Sequence, residues 1–151
     1  MTLPIPLQYF NRVTRPFGLL SNDYTSGMHP GADFGTPIGT PVVAPCDGYV
    51  TMAIHDRKNS QLGNAIYFAF IWEDQVYFMA SLHMSEIVSP GMYKQGDVLG
   101  KTGNTGKSSG PHAHLEIWNR SIDRGAITTK AGVQRNLLNP VDFFKTHADS
   151  A

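Results

Sequence analysis

Apolar and polar positions in this chain change places over short distances. The segment from Gly48 to Asp56, GYVTMAIHD, sets Val50, Met52 and Ile54 against Tyr49, Thr51 and His55. A period of two is the mark of a half-buried strand. Asn64 to Trp72, NAIYFAFIW, is nearly all apolar and predicts a strand covered on both faces. Glu73-Asp74 then turn tightly into QVYFMASLH (Gln75 to His83), so these two runs predict a hairpin. In the second run, alternation puts Tyr77, Met79, Ser81 and His83 on one face. DVLGKTG (Asp97 to Gly103) and HAHLEIW (His112 to Trp118) are two further short strands, the latter entered through Gly110-Pro111. One helix is predicted, near the C-terminus: Asn139 supplies the N-cap, Pro140 the first helical position, and VDFFKTH continues it.

Two connections are long. Leu19 to Met28 is polar and leads into His29. Asn119 to Asn139 carries Arg120, Arg124, Lys130 and Arg135 with only a weak apolar pattern. A loop of that length in a small domain usually has a functional role, and it is expected to form one wall of a groove. The punctuation fits the composition. In 151 residues there are 15 Gly and 10 Pro, with a hydrophobic fraction of 41% that supports one domain over residues 1–151. Twelve basic residues balance twelve acidic ones, which gives no basic face for nucleic acid and no push toward assembly, so a monomer is expected. Cys46 has no partner for a disulfide and reads as a small buried apolar side chain. No apolar run is long enough to insert in a bilayer, and the first residues carry no signal-peptide pattern.

The candidate chemistry lies in histidines. His29 precedes Asp33 by four residues in GMHPGADFG. Pro30-Gly31 argues against a helix there, but a loop entering a short strand can still converge the two side chains. An imidazole and a carboxylate are ligands that zinc accepts. In HAHLEIW, strand alternation puts His112, His114 and Glu116 on one face and Ala113, Leu115 and Ile117 on the other. His83 closes its own strand. Each of these pieces alone is equally compatible with ordinary polar strand and turn residues. His55 and His147 sit in a charged loop entry and in the tail and are read as ordinary.

Taken in order, MHPGADFGTPIGTPVVAPCDGYV followed by SLHMSEIVSPGMYKQGDVLGKTGNTGKSSGPHAHLEI resembles the lysostaphin/LytM-type zinc endopeptidases that cleave bacterial peptidoglycan. The resemblance runs from about Arg15 to Trp118 and resumes at LLNPVDFF. Lys101 stands where the family usually has a small or apolar residue. The resemblance implies a mostly β fold, an antiparallel sheet or sandwich of the lysostaphin-like, duplicated-hybrid-motif type with an open groove and a short C-terminal helix. It implies one Zn²⁺ per chain held by His29, Asp33 and His114, with His83 and His112 as catalytic histidines that are not ligands. It also implies a peptidoglycan peptide as substrate.

Three protein ligands would leave zinc a position for water. The chain has no H-E-x-x-H motif, so a neutral histidine is expected to serve as general base. His83 is the first choice and His112 the partner that binds the oxyanion, although the two roles can be exchanged. Tyr24, in the loop before His29, is a candidate extra oxyanion donor, with an exposed loop tyrosine as the plain alternative. Glu116 is a candidate to orient one of the histidines from behind, or an ordinary ion-pair partner. Two rivals stand beside the enzyme: a catalytically silent module of the same family that binds wall or activates another hydrolase, and a cupin-like metal-binding β protein. The setting expected from the sequence is the bacterial wall, reached by a phage lysin or virion enzyme. A fragment of a larger bacterial hydrolase is the second expectation. The bond cut, glycyl-glycine or D-alanyl-diaminopimelate, is left open.

Overall fold

A computed structural model describes residues 1–24, 27–56, 61–119 and 136–149. In chain order its elements are α1 (Leu7–Phe10), β1 (Val13–Arg15), β2 (Ala32–Gly35), β3 (Pro41–Val43), β4 (Gly48–Ile54), β5 (Asn64–Trp72), β6 (Gln75–Met84), β7 (Glu86–Ile87), β8 (Gly91–Tyr93), β9 (Val98–Lys101), β10 (His112–Trp118), β11 (Leu137–Leu138) and α2 (Pro140–His147). All strand pairing among the described residues is antiparallel. The larger sheet runs β1-β2-β10-β6-β5-β4-β8, with β11 added alongside β10, and the smaller runs β3-β9-β7. The expected mostly β fold with a short C-terminal helix is therefore present.

The predicted hairpin is β5–β6. Glu73 and Asp74 both take positive φ, 49° and 64°, as the two-residue turn that matches strand twist requires. The predicted helix begins as read: the Asn139 side chain accepts from the Val141 N–H at 3.0 Å and Pro140 follows at the first position. Short strands at Val13–Arg15, Ala32–Gly35, Pro41–Val43, Glu86–Ile87 and Gly91–Tyr93 are added to those predicted, as is the single turn of α1. At two to four residues they carry too little alternation to stand out in sequence. Of the expected groove wall over 119–139, residues 120–135 lie outside the described residues, while Leu137–Leu138 pairs with Ile117 and Trp118.

The large sheet buries one face in the main core and turns the other toward a groove. Core-side residues include Phe34, Phe68, Met79, Leu115 and Ile117, joined by Val42 and Leu99 of the small sheet and by Phe10, Phe143 and Phe144 of the helices. Cys46 is buried there as expected, and burial pushes its thiol up to about 11. Directly paired residues share a face of a sheet. His114 is paired with Asp33 on one side and Leu82 on the other, and Glu116 is paired with Ala80. These rows face the groove.

Here simple alternation fails, and the expectation for His83 needs correction. Met79 and Ser81 pair with Ile117 and Leu115, on the core side. A regular β6 would have turned His83 with them, away from His114. Instead the register with β5 slips: Ile66 opposes Ser81, but Asn64 opposes Met84. His83 takes a φ of 59° at this bulge. Left-handed backbone at a non-glycine residue costs on the order of 1–3 kcal/mol and persists only where its surroundings impose it. The His83 N–H is held by the Leu62 carbonyl at 3.0 Å. Two successive side chains, Leu82 and His83, thereby line the groove.

Candidate active site

Asp33 lies at the centre of the groove floor. Its Oδ1 is 2.7 Å from His114 Nδ1, 3.4 Å from His29 Nε2 and 3.6 Å from His112 Nε2. The ligand atoms of His29, Asp33 and His114 all fall within 4.8 Å of one another. His29 reaches this point because Pro30-Gly31 carries the chain directly from its loop into β2. Gly31 has no room for a side chain. A Cβ there would meet the Leu115 carbonyl oxygen, and would lie 2.9 Å from Glu116 Cγ and 3.0 Å from His114 Nε2.

The outward ring nitrogens determine what the inward ones offer. His29 Nδ1 faces the Pro16 carbonyl at 3.1 Å, and a carbonyl can only accept. His29 Nδ1 therefore carries the hydrogen, and Nε2 presents a lone pair to Asp33. His114 Nε2 likewise donates to Glu116 Oε2 at 2.9 Å, which turns Nδ1 inward. Glu116 is fully buried and its other oxygen accepts from Trp118 Nε1 at 3.0 Å. Imidazole lone pairs converging on a carboxylate oxygen form a nest of acceptors that requires a cation. Outer partners of this kind fix the tautomer of a metal-binding histidine. The donor set thus suits zinc: two imidazoles and one carboxylate.

Without an ion, a proton takes that place. Burial opposes a charged His114, but the hydrogen bonds to Asp33 and Glu116 outweigh it and raise its pKa to about 9. Burial also opposes a charged Asp33, yet the hydrogen bond from His114 and the nearness of His29 hold it well below the usual carboxylate range.

His83 and His112 stand beside this set. Their ring centroids are 5.2 Å apart, and His83 is 5.8 Å from His114. His83 Nδ1 donates to the Thr105 carbonyl at 2.8 Å, and His112 Nδ1 to the Gly110 carbonyl at 2.8 Å. Both rings therefore turn an Nε2 lone pair to the groove. Burial, with His114 and His112 nearby, lowers His83 to about 4, so it is neutral at neutral pH.

Thr105 received no role from sequence, yet it holds His83. Its N–H faces the His83 carbonyl at 3.3 Å, and its Oγ1 donates to Met84 O at 2.8 Å and accepts from Asn64 N at 3.1 Å. Gly106 packs so closely against Gly63 that a Cβ would lie 2.8 Å from its Cα. The TGNTG spacing marks the turn in sequence, but what that turn supports is set by strand pairing. Arg15 and Trp118 also received no role from sequence.

The groove has a volume of about 710 Å³. Arg15, Asp23 and Tyr24 line it on the β1 side, and Lys107, Ser108 and Pro111 on the side of the loop before β10. Tyr24 lies in this wall with its ring 5.0 Å from that of His29. His147 lies elsewhere, accepting from Trp72 Nε1 at 3.1 Å, and His55 does not line the groove.

A strand-floored groove bearing this histidine–aspartate set has the architecture of the lysostaphin-type peptidases. The catalytic domain of the antimicrobial peptidase lysostaphin from Staphylococcus simulans superposes with a TM-score of 0.72 at 28% identity, covering 93% of this chain and 98% of that one. A zinc-containing peptidase from Vibrio cholerae gives 0.65 at 28% identity, over 92% of this chain and 38% of that one. The chain belongs to peptidase family M23, whose model matches residues 27–128. Among its relatives, the peptidoglycan DD-endopeptidase ShyA of Vibrio cholerae is 38% identical over 59% of this chain, and the DD-carboxypeptidase/endopeptidase Mpg of Neisseria meningitidis is 34% identical over 74%. This chain spans 20% and 25% of their respective lengths.

Proposed function

We propose that this protein is a zinc-dependent endopeptidase that hydrolyses peptide bonds in the stems or cross-links of bacterial peptidoglycan. The observation that carries the reading is the convergence of His29 Nε2, Asp33 Oδ1 and His114 Nδ1 in one groove, beside two further histidines that turn lone pairs toward it. A bound zinc supplies Lewis-acid polarisation of the scissile carbonyl and acidifies a water. His29, Asp33 and His114 hold the ion, and Glu116 keeps His114 in the tautomer that can do so. His83 takes the proton of the attacking water at Nε2, because its Nδ1 is committed to Thr105 and burial keeps the ring neutral. That proton passes from His83 to the leaving amine, directly or through His112 Nε2, which faces the same space and while it carries the proton can donate to the tetrahedral oxyanion. Tyr24 offers its hydroxyl to the same oxyanion from the opposite wall.

All five histidine and aspartate positions are filled and brought together. That favours an active enzyme over a silent binding module. ShyA is a peptidoglycan DD-endopeptidase and Mpg a DD-carboxypeptidase/endopeptidase, which supports a D-alanyl cross-link over a glycyl-glycine bridge as the bond cut. A phage setting has a precedent among similar structures in the catalytic domain of the prophage-encoded M23 protein EnpA from Enterococcus faecalis, at 25% identity and a TM-score of 0.60.

Purified protein should carry one zinc per chain. It should release mass-defined fragments from peptidoglycan with direct D-alanyl cross-links, and lose this activity to a chelator. Protein without stoichiometric zinc, or fragments that persist at full yield after the metal is stripped, would remove the reading.

A further inference from the structure

Arg15 closes β1 directly across the ladder from Asp33. Its Nη1 donates to the Tyr24 hydroxyl oxygen at 2.8 Å, and its guanidinium carbon lies 5.9 Å from the Tyr24 ring centroid. Tyr24 in turn stands against His29. A guanidinium has donors only, so the phenol oxygen must be the acceptor in this pair. The phenol's own proton then points away from Arg15. Neither residue is fixed by deep packing: Arg15 is exposed on an edge strand, and Tyr24 is half-buried in the loop that leads to His29. The hydrogen bond is the tether that sets where the hydroxyl sits.

We propose that Arg15 is a positioning residue for Tyr24: it holds the phenol at the groove wall with its O–H turned to the reacting carbonyl, and sets a fixed positive charge behind the oxygen that donates to the oxyanion. This rests on the endopeptidase reading above. The cation acts through the donor, where its field adds to the preorganisation that stabilises a developing negative charge. A surface arginine held only by solvent would have no reason to share Tyr24's fate on mutation.

The test uses Arg15→Met, Arg15→Lys, Tyr24→Phe and the Arg15→Met/Tyr24→Phe double variant. In chelator-treated protein labelled with ¹³Cζ-tyrosine, the Tyr24 resonance (assigned by its loss in Tyr24→Phe) should move in Arg15→Met and return toward its original position in Arg15→Lys. With zinc-loaded protein and a purified cross-linked muropeptide dimer, Tyr24→Phe should lower kcat by about 100-fold. Arg15→Met should lose about tenfold in kcat at nearly constant KM, Arg15→Lys should recover most of it, and the double variant should be no slower than Tyr24→Phe alone. An unmoved Tyr24 resonance in Arg15→Met overturns the inference, as does a double-variant loss equal to the product of the single losses. A rise in KM at constant kcat also overturns it, because Arg15 would then touch substrate directly. Wild-type protein that cuts no peptidoglycan overturns the function and this role with it. A silent Tyr24 resonance in an active enzyme overturns the role alone.

Discussion

Replacing Glu116 with glutamine changes one atom's chemistry at the base of the site, with almost no change in volume. In the native arrangement both carboxylate oxygens accept: Oε2 from His114 Nε2 at 2.9 Å and Oε1 from Trp118 Nε1 at 3.0 Å. Glutamine has one acceptor and one donor. If its oxygen stays with Trp118, its NH₂ faces His114 Nε2, which must then give up its hydrogen. The hydrogen moves to Nδ1, the nitrogen that points at Asp33, and a protonated nitrogen cannot ligate. If the amide flips, its NH₂ confronts the Trp118 N–H, and a donor buried without an acceptor is costly. Either orientation removes a charge-assisted hydrogen bond, worth about 1.5–3 kcal/mol. Loss of an outer partner of this kind lowers metal affinity by roughly 10- to 100-fold. Competition with a chromophoric chelator at about pH 7.5 reads zinc affinity directly, near the pH at which such sites are ordinarily loaded. Far-UV circular dichroism and a cooperative melt of the metal-free variant establish that it folds. A folded Glu116→Gln protein that binds zinc within about twofold of wild type, beside a His114→Ala control that binds none, would refute the tautomer argument.

The remaining predictions concern the neighbours of that site. His83→Ala should keep stoichiometric zinc but lose about 10²- to 10⁴-fold in kcat; zinc loss in that variant would make His83 a ligand instead of a base. Gly31→Ala should destabilise the fold by at least about 1–3 kcal/mol and weaken zinc binding, because the new methyl meets the Leu115 carbonyl and His114; an unchanged urea midpoint and zinc affinity would show that the backbone yields freely. Metal-free protein should lose stability as pH rises. His114 is raised from 6.5 to about 9, so its contribution is fully present below 6.5, where the unfolded histidine is also protonated. It then fades as pH climbs through about 9, because the folded state holds a proton that the unfolded chain has released. Urea midpoints taken from about pH 6 to about pH 9.5 should fall across this window in native protein and stay flatter in folded His114→Gln.

Regular elements are the legible part of this sequence, and the reason is physical. A strand such as β10 announces itself because its side-chain period is two, and that period by itself puts His112, His114 and Glu116 on one face. The hairpin and the Asn139 cap are legible because their chemistry is local. His83 is the opposite case. Its strand reads as a regular alternation that would point it into the core with Met79 and Ser81. It reaches the groove only because the ladder slips and its own φ turns positive. That slip is held by Leu62, Thr105, Asn64 and the close approach of Gly63 and Gly106, contacts up to some forty residues apart in the chain. Nothing within β6 predicts them.

The family resemblance implies His83 at the site while periodicity turns it toward the core, and the slipped backbone that brings it to the groove explains why the two disagree. The floor of the site has two kinds of part. Asp33 and His114 sit on regular backbone in direct register, with Glu116 behind His114, so two of the three proposed ion ligands follow from sheet geometry, and His29 joins them through the Pro30-Gly31 entry into β2. The proposed base sits on irregular backbone that a separate loop must hold in place. The division makes the two functions separable. Loosening the Thr105 loop should leave the three ligand atoms in place while releasing His83, so damage there should appear as lost turnover with the metal retained. Damage at Gly31 or Glu116 should appear first as lost metal.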